Sequence, residues 1–388
     1  MSAFFEKIQK IAGTTENEAV TAALNAGRPV MGYLCSYVPE EILHAAGLVP
    51  YRLRAVGSTG TSRADAYYGA RNCSFVRHLF DRVLSGSYGF LSGMVFMNGC
   101  DHARRMYDNW QDAAREGKAP QGFLHMLPVP HRTGGAALAQ YAAELKKLGA
   151  ALSGRFGTPV TDESLSRSIA LANEKRRLLS RLSSLRAARP AALRGSEFLA
   201  LVLAVTAVPP EDAVALLTEA LDAVGGRDVS RPGDVRVVLA GGCAEDVEHV
   251  RLIEDAGGLV TADNLCLGGR YFDGLADESG DPWEALARRY LTKLSCPRMI
   301  DGVSKRMDRL FSTVAETGSQ AVLAEKLMFC DLWGGEIFMQ KSEAKKRDVP
   351  FLSLERELYG GGAGQHATRI QAFFEKVHNL GKKNGRPV

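Results

Sequence analysis

Apolar positions along this chain change period three times, and the changes divide it. The segment up to about Arg28 reads as helical. "PVMGYLCSYV" then forms a strand-like apolar run ending near Cys35. "PEEILHAAG" has the punctuation of a helix, with Pro39 at its start, Glu40 and Glu41 in the first turn and Gly47 as the stop. "LVPYRLRAV" and "MVFM" are further strand runs, the second just before Cys100, so strand and helix alternate to about residue 135.

From about Gly135 to Gly225 the period becomes helical. "AALAQYAAELKKLGAALSGRFG", "DESLSRSIALANEKRRLLSRLSSLRAA" and "PPEDAVALLTEALDAVGG" are amphipathic and separated by Gly and Pro signals. Their basic pairs, Lys146-Lys147 and Arg176-Arg177, are expected on solvated faces. "FLALVLAVTAV", Phe198 to Val208, is about half of the roughly 20 residues a membrane helix needs and reads as a buried helix. After the linker "GGRDVSRPGD" the alternation returns through "VRVVLAGG", "AEDVEHVRLIEDAGG", "LVTAD", "AVLA" and "VPFLSLE" to a last helix, "HATRIQAFFEKVHNLG".

Such alternation predicts an α/β protein with two doubly wound, Rossmann- or flavodoxin-like parallel-sheet domains joined by a helical segment. The expected divisions are a helical N-terminal segment over 1–28, a first α/β domain over 29–135, helices over 136–230 and a second α/β domain over 231–388. Cys35 and Cys243 both follow strand runs, which suggests a distant duplication of the halves; that idea requires the two sheets to share one strand order.

Composition narrows the function. With 388 residues, 46% hydrophobic and 24% charged, the chain is globular and long enough for two or three domains. A net charge of +4, spread along the chain, does not make a nucleic-acid surface. The start, "MSAFFEKIQKIAG", carries Glu6 among its apolar residues and is not a secretory signal, so a cytoplasmic protein with no membrane partner is expected. Seven cysteines without a C-x-x-C pair fit neither a disulfide framework nor an ordinary zinc ribbon.

Two of those cysteines stand at strand ends beside an aspartate: Cys100 in "MVFMNGCD" and Cys330 in "LMFCD". In a parallel sheet the carboxyl ends of the strands form the ligand crevice, so one thiol of each domain is expected there. A nucleotide is a poor candidate ligand. There is no P-loop, and "AGGCAED", with Asp263 about 20 residues on, lacks the glycine spacing of a dinucleotide site, leaving Asp263 a strand-end polar residue. Thiolates at a domain interface suit an iron–sulfur cluster, but spacing alone leaves buried free thiols open as the other reading.

An ordered set of motifs adds to this: "YVPEEILHAAGLVP", "NCSFVRH", "GCDHARRMYDNW", "DNLCLGGRYF", "SCPR", "FCDLWGGEIF" and "VPFLSLERE". Over nearly its whole length the chain resembles the components of 2-hydroxyacyl-CoA dehydratases and the subunits of ATP-dependent benzoyl-CoA reductases. The resemblance implies one four-iron four-sulfur cluster on Cys73, Cys100 and Cys330, with one iron lacking a cysteine ligand. It implies a homologous second subunit, an acyl-CoA substrate and a separate ATP-hydrolysing iron–sulfur activator, so that this chain binds no ATP itself. The activator's low-potential electron turns the thioester into a ketyl radical anion, which either expels a 2-hydroxyl or begins ring reduction; the residues do not choose between the two.

Further expectations follow from that resemblance. Asp101 and Asp331 are expected to cap the helices after their cysteines by accepting backbone N–H bonds. Glu41 and His44 are candidate proton-transfer or supporting groups, against helix capping or solvation and packing, and some basic residues serve coenzyme A phosphates. Relatives with a double-cubane cluster use six cysteines, and Cys266 and Cys296 stand where two of the extra ligands are expected. The sixth, between Cys73 and Cys100, is missing from "SGSYGF", which favours a single cluster with Cys266 and Cys296 as buried thiols beside it. A cluster-bearing relay subunit that does not carry the substrate is a third reading.

Overall fold

A computed structural model describes residues 3–383. The first sheet comprises β1 (Val30–Tyr33), β2 (Val49–Arg52), β3 (Leu91–Met97) and β4 (Phe123–Leu127), in the order β2-β1-β3-β4. The second comprises β5 (Val235–Gly241), β6 (Gly258–Asn264), β7 (Ala321–Leu327) and β8 (Phe351–Arg356), in the order β6-β5-β7-β8. All pairings are parallel. The two halves are thus α/β domains with doubly wound sheets, and they share one strand order, as a duplication requires.

The central strands read as apolar runs because helices cover both of their faces: β1 and β5 are buried at every position. Strand β4, which has no such run, is an edge strand buried only at Leu127. It comes close to β3 at Gly93, where a Cβ would lie 2.4 Å from the Phe123 carbonyl oxygen. In each sheet the winding reverses between neighbouring strands, β1 and β3 in one and β5 and β7 in the other, and crevices open at the carboxyl ends there.

The helical segment is shared between the two halves. Leu145, Leu148 and Leu152 of helix Gly135–Phe156 and Leu165 and Ile169 of helix Asp162–Ala187 pack with Met31, Val95 and Met97 of the first sheet. Helix Gly195–Val205, apolar all round and buried, packs with Val235, Val237 and Leu239 of β5. Among the described residues no helix is long and apolar enough to cross a membrane.

One expected solvated pair is split. Arg177 is half-exposed and pairs with Glu278 at 2.7 Å, but Arg176 is 2% exposed. The helical period explains the correction: Leu165, Ile169, Ala172, Arg176 and Leu179 fall on one buried stripe. Lys146 and Lys147 are on the solvated face as expected.

Candidate functional site

Among the described residues, three helices begin on a cysteine. Cys73 is the N-cap of Ser74–Leu84, Cys100 of Asp101–Arg115 and Cys330 of Asp331–Lys346. Cys100 and Cys330 follow β3 and β7, a strand at the winding reversal of each sheet, which carries both to the crevice. Cys73 is brought there by stitching across the domains. The Ser74 N–H donates to the Met328 carbonyl at 3.1 Å, and the Leu358 N–H donates to Ser74 Oγ at 2.8 Å. The Cys73 and Cys330 thiols consequently hydrogen-bond to each other, and Cys100 lies within the electrostatic reach of Cys330.

Those cysteines, and not the aspartates, occupy the cap positions. Cys100 has extended backbone (φ −127°, ψ 168°), and its Sγ accepts the Ala103 N–H at 3.4 Å. Asp101 and Asp331 are already the first helical residues, and their side chains are 88% exposed. The expected aspartate caps are therefore incorrect: the acids sit one residue too late to cap and instead meet the positive ends of the helix dipoles.

His102 ties the three elements together, and nothing within "GCDHARRMYDNW" but its place beside Cys100 marks it. Its Nδ1 accepts the Cys73 N–H at 2.6 Å, and its Nε2 lies 3.6 Å from the Asp331 carboxylate. Phe329, just before Cys330, has φ 61°, a left-handed conformation rare for a bulky residue; such strain persists where the surroundings over-determine the backbone, as at binding sites.

The electrostatics of the crevice set burial against the helix dipoles. Burial pushes the Cys100 thiol up to about 11. Cys330 is also raised, first by its hydrogen bond with Cys73 and then by burial. Three helix N-termini supply the opposing positive field. Among the described residues no three His, Cys, Asp or Glu side chains are close enough to hold a single metal ion. A ligand set of soft thiols alone, opening on a crevice, fits a wider group of the iron–sulfur type.

The remaining thiols converge on the same crevice. Cys35 follows β1, Cys243 follows β5 and Cys266 follows β6. Cys243 and Cys266 hydrogen-bond, Cys296 lies within the electrostatic reach of Cys266 and Cys35, and Cys266 reaches Cys330 in the same way. Arg52, Arg270 and Lys293 lie among them, all buried; no sequence signal marked these three as more than ordinary basic residues.

Other candidates are committed elsewhere. Both carboxylate oxygens of Glu41 are used: Oε1 takes a hydrogen bond from Arg176, and Oε2 takes one from the Tyr290 hydroxyl at 2.7 Å. His44 touches Ser168 Oγ at 2.9 Å through Nδ1 and Glu211 at 2.9 Å through Nε2. These contacts engage both Glu41 and His44 in the packing of the helices around them. Asp263 is a strand-end residue: it accepts the Leu265 and Gly269 N–H groups at 3.1 and 2.8 Å and pairs with Arg186 at 2.9 Å. Gly268 makes room for it, since a Cβ there would lie 1.9 Å from Asp263 Oδ1.

The family model described as 2-hydroxyglutaryl-CoA dehydratase, D-component, matches residues 35–377, an interval that holds all seven cysteines. The chain belongs to that family. It is 28% identical over 370 residues to the putative dehydratase subunit YjiM of Escherichia coli K12, covering 90% of this chain and 92% of that one. It is 26% identical to a benzoyl-CoA reductase subunit of Thauera aromatica, covering 87% of each. The (R)-phenyllactyl-CoA dehydratase beta subunit of Clostridium sporogenes is 22% identical, over 96% of this chain and 98% of that one. Relatives named as dehydratase and as reductase subunits thus align with most of the chain.

Proposed function

We propose that this chain is the iron–sulfur subunit of a 2-hydroxyacyl-CoA dehydratase-type enzyme of the cytoplasm, with Cys73, Cys100 and Cys330 holding one four-iron four-sulfur cluster. The observation that carries this reading is the convergence of three helix-capping cysteines, from both domains, on one crevice. Three thiolates for four irons leave one iron without a cysteine. When bound, the cluster would supply a Lewis-acidic iron and a single low-potential electron for ketyl-radical chemistry on an acyl-CoA thioester. The chain's own residues do the holding. The helix N-termini offset the anionic charge, His102 fixes the Cys73 turn to the Cys100 helix, and the Phe329 turn aims Cys330.

ATP hydrolysis belongs, in this reading, to a separate iron–sulfur activator, in keeping with a chain that carries no P-loop. A homologous second subunit completes the component, in keeping with relatives that are themselves single subunits of larger enzymes. Reduction of an aryl-CoA ring is the second reading, favoured by the reductase relative.

The test is an anaerobic assay of the chain with its second subunit, activator and ATP, offered 2-hydroxyacyl-CoA and benzoyl-CoA in parallel. Water loss from the 2-hydroxyacyl-CoA is expected, and Cys330→Ala should abolish both that activity and the cluster's absorbance. Turnover of benzoyl-CoA alone would move the assignment to the reductase. Unchanged iron and absorbance in Cys330→Ala would reject that residue as an essential ligand.

A further inference from the structure

Strand β8 and the helix after it, Ala363–Lys383, are joined through "ELYGGGAG", Glu357 to Gly364. The fold accounts for two of the glycines in this turn and leaves two unexplained. Gly360 and Gly362 have φ 127° and 98°, a region that favours glycine. Gly361 and Gly364 have no positive φ, and a Cβ on either would meet no atom within 4 Å. Neither backbone conformation nor crowding inside the chain calls for glycine at those two positions. A group that approaches the backbone from outside does.

The same turn presents unused donors. Gly362 has no side chain with which to cap the helix, and the first helical N–H to find a carbonyl is that of His366, which donates to Gly362 at 2.9 Å. Among the described residues the N–H groups of Gly361, Gly362, Ala363, Gly364 and Gln365 have no partner, and all five residues are exposed. Two buried side chains stand behind them. His366, 8% exposed, is set edge-on to His249 with ring centroids 5.8 Å apart, and its ring nitrogens have no hydrogen bond among the described residues. Its Cε1 and Nε2 lie 3.7 and 4.0 Å from where a Cβ of Gly362 would be, which aims the ring into the turn. Arg356, 5% exposed and within electrostatic reach of His366, donates from Nε to Glu325 and from Nη1 to the carbonyls of Glu357 and Leu358, while its Nη2 is unpartnered. The acids nearby are engaged: Glu325 also meets His249 at 2.6 Å, Asp246 caps helix Val247–Asp255 and lies 3.7 Å from Arg356, and Glu357 lies 3.9 Å from His78.

We infer that the glycine turn before helix Ala363–Lys383 binds a phosphoryl group, as inorganic phosphate or as the end of a phosphate ester, with the free N–H groups, His366 and Arg356 as donors. A helix N-terminus preceded by free loop N–H groups favours a compact anion. Phosphate has enough acceptor oxygens to meet the loop, the imidazole and the guanidinium together, which a carboxylate does not. The turn is not a P-loop. Gln365 and His366 follow its last glycine where a P-loop has lysine and a hydroxyl residue, so the groups that hold magnesium and the outer phosphates of a nucleoside triphosphate are missing. This site is built from other residues than the three-cysteine cluster and does not depend on it.

The experiment is calorimetric titration of the full-length chain with inorganic phosphate, adenosine monophosphate and adenosine, with the thermal unfolding midpoint measured alongside. The wild type should bind phosphate and the monophosphate at a single site and adenosine not at all. Tighter binding of the monophosphate than of phosphate assigns the site to a phosphate ester, and equal or weaker binding assigns it to the free ion; both support the inference. Gly361→Val/Gly364→Val places side chains in open space, so it should unfold at the wild-type midpoint while its affinity for phosphate falls about tenfold or more. His366→Leu should also lose about tenfold, the loss of one hydrogen bond to a charged group. No phosphate binding by the wild type, binding of adenosine as tight as that of the monophosphate, or wild-type affinity in the folded glycine variant would overturn the inference.

Discussion

Two groups of buried cations in this protein are neutralised in different ways. Lys175 and Arg176, each 2% exposed, meet Glu40 and Glu41: Lys175 lies 2.9 Å from Glu40, and Arg176 pairs with Glu41. Tyrosine hydroxyls fill the remaining acceptor positions, Tyr271 on Glu40 and Tyr290 on Glu41. Arg52, Arg270 and Lys293, equally buried, meet carbonyls and thiols instead. The first group is complete within the polypeptide. The second has no carboxylate partner among the described residues: a hydrogen bond with Cys243 and the neighbouring Arg270 hold the Cys266 thiol well below its ordinary range, and burial holds the Lys293 ammonium down, so one folded chain contains a finished carboxylate site beside one built without carboxylates.

The largest effect should come from breaking the finished site. Glu41→Gln leaves Arg176 charged and unpaired in the core and should cost ~3–5 kcal/mol of stability. Chemical denaturation should show that loss with and without iron; equal stability of variant and wild type would end the contrast between the groups. Arg52→Met should act in the opposite sense. The iron-free variant should be at least as stable as the iron-free wild type, because a buried cation without a carboxylate partner has gone. A large destabilisation of the iron-free form would show that Arg52 has its partner within the chain.

Acid should find the finished site next. Burial opposes ionisation of Glu40, but Lys175 and Arg176 outweigh it and hold the carboxyl down to about 2, from an ordinary 4.5. A depressed carboxyl contributes stability that is present above pH 4.5 and is lost as the pH falls towards 2. Glu40→Gln should therefore flatten the stability profile between those limits; an unchanged slope would remove Glu40 from the acid response. The smallest effect is expected at the crevice rim, where Asp331→Asn, in a side chain 88% exposed, should leave the denaturation midpoint within error of wild type.

Much of this was legible in the chain. Apolar runs and Gly or Pro punctuation marked β1, β3 and β5, and the CD dipeptides marked Cys100 and Cys330 as crevice residues. Strand β4 was not legible, because an edge strand carries no continuous apolar run and His125 interrupts this one. Arg176 was misplaced because a basic pair on a helix usually points outward, and only its stripe-mates reveal its burial. Arg52 and Arg54 were invisible for a different reason. Their neighbours are set by tertiary folding: Arg54 bonds to the carbonyls of Ala12 and Leu203, and Arg52 faces thiols of both domains. His102 had only its place beside Cys100 as a signal, since the groups it joins are brought together by contacts across the domain interface.

The central claim is that Cys73, Cys100 and Cys330 hold a cluster with one iron open to the substrate. Its most direct test is the Mössbauer spectrum of the iron-57-loaded chain with its second subunit, recorded anaerobically before and after adding a 2-hydroxyacyl-CoA. One iron subsite should shift on addition, and the shift should be absent in Cys330→Ala. A spectrum that the acyl-CoA leaves untouched, or a shift that survives in Cys330→Ala, would contradict the account.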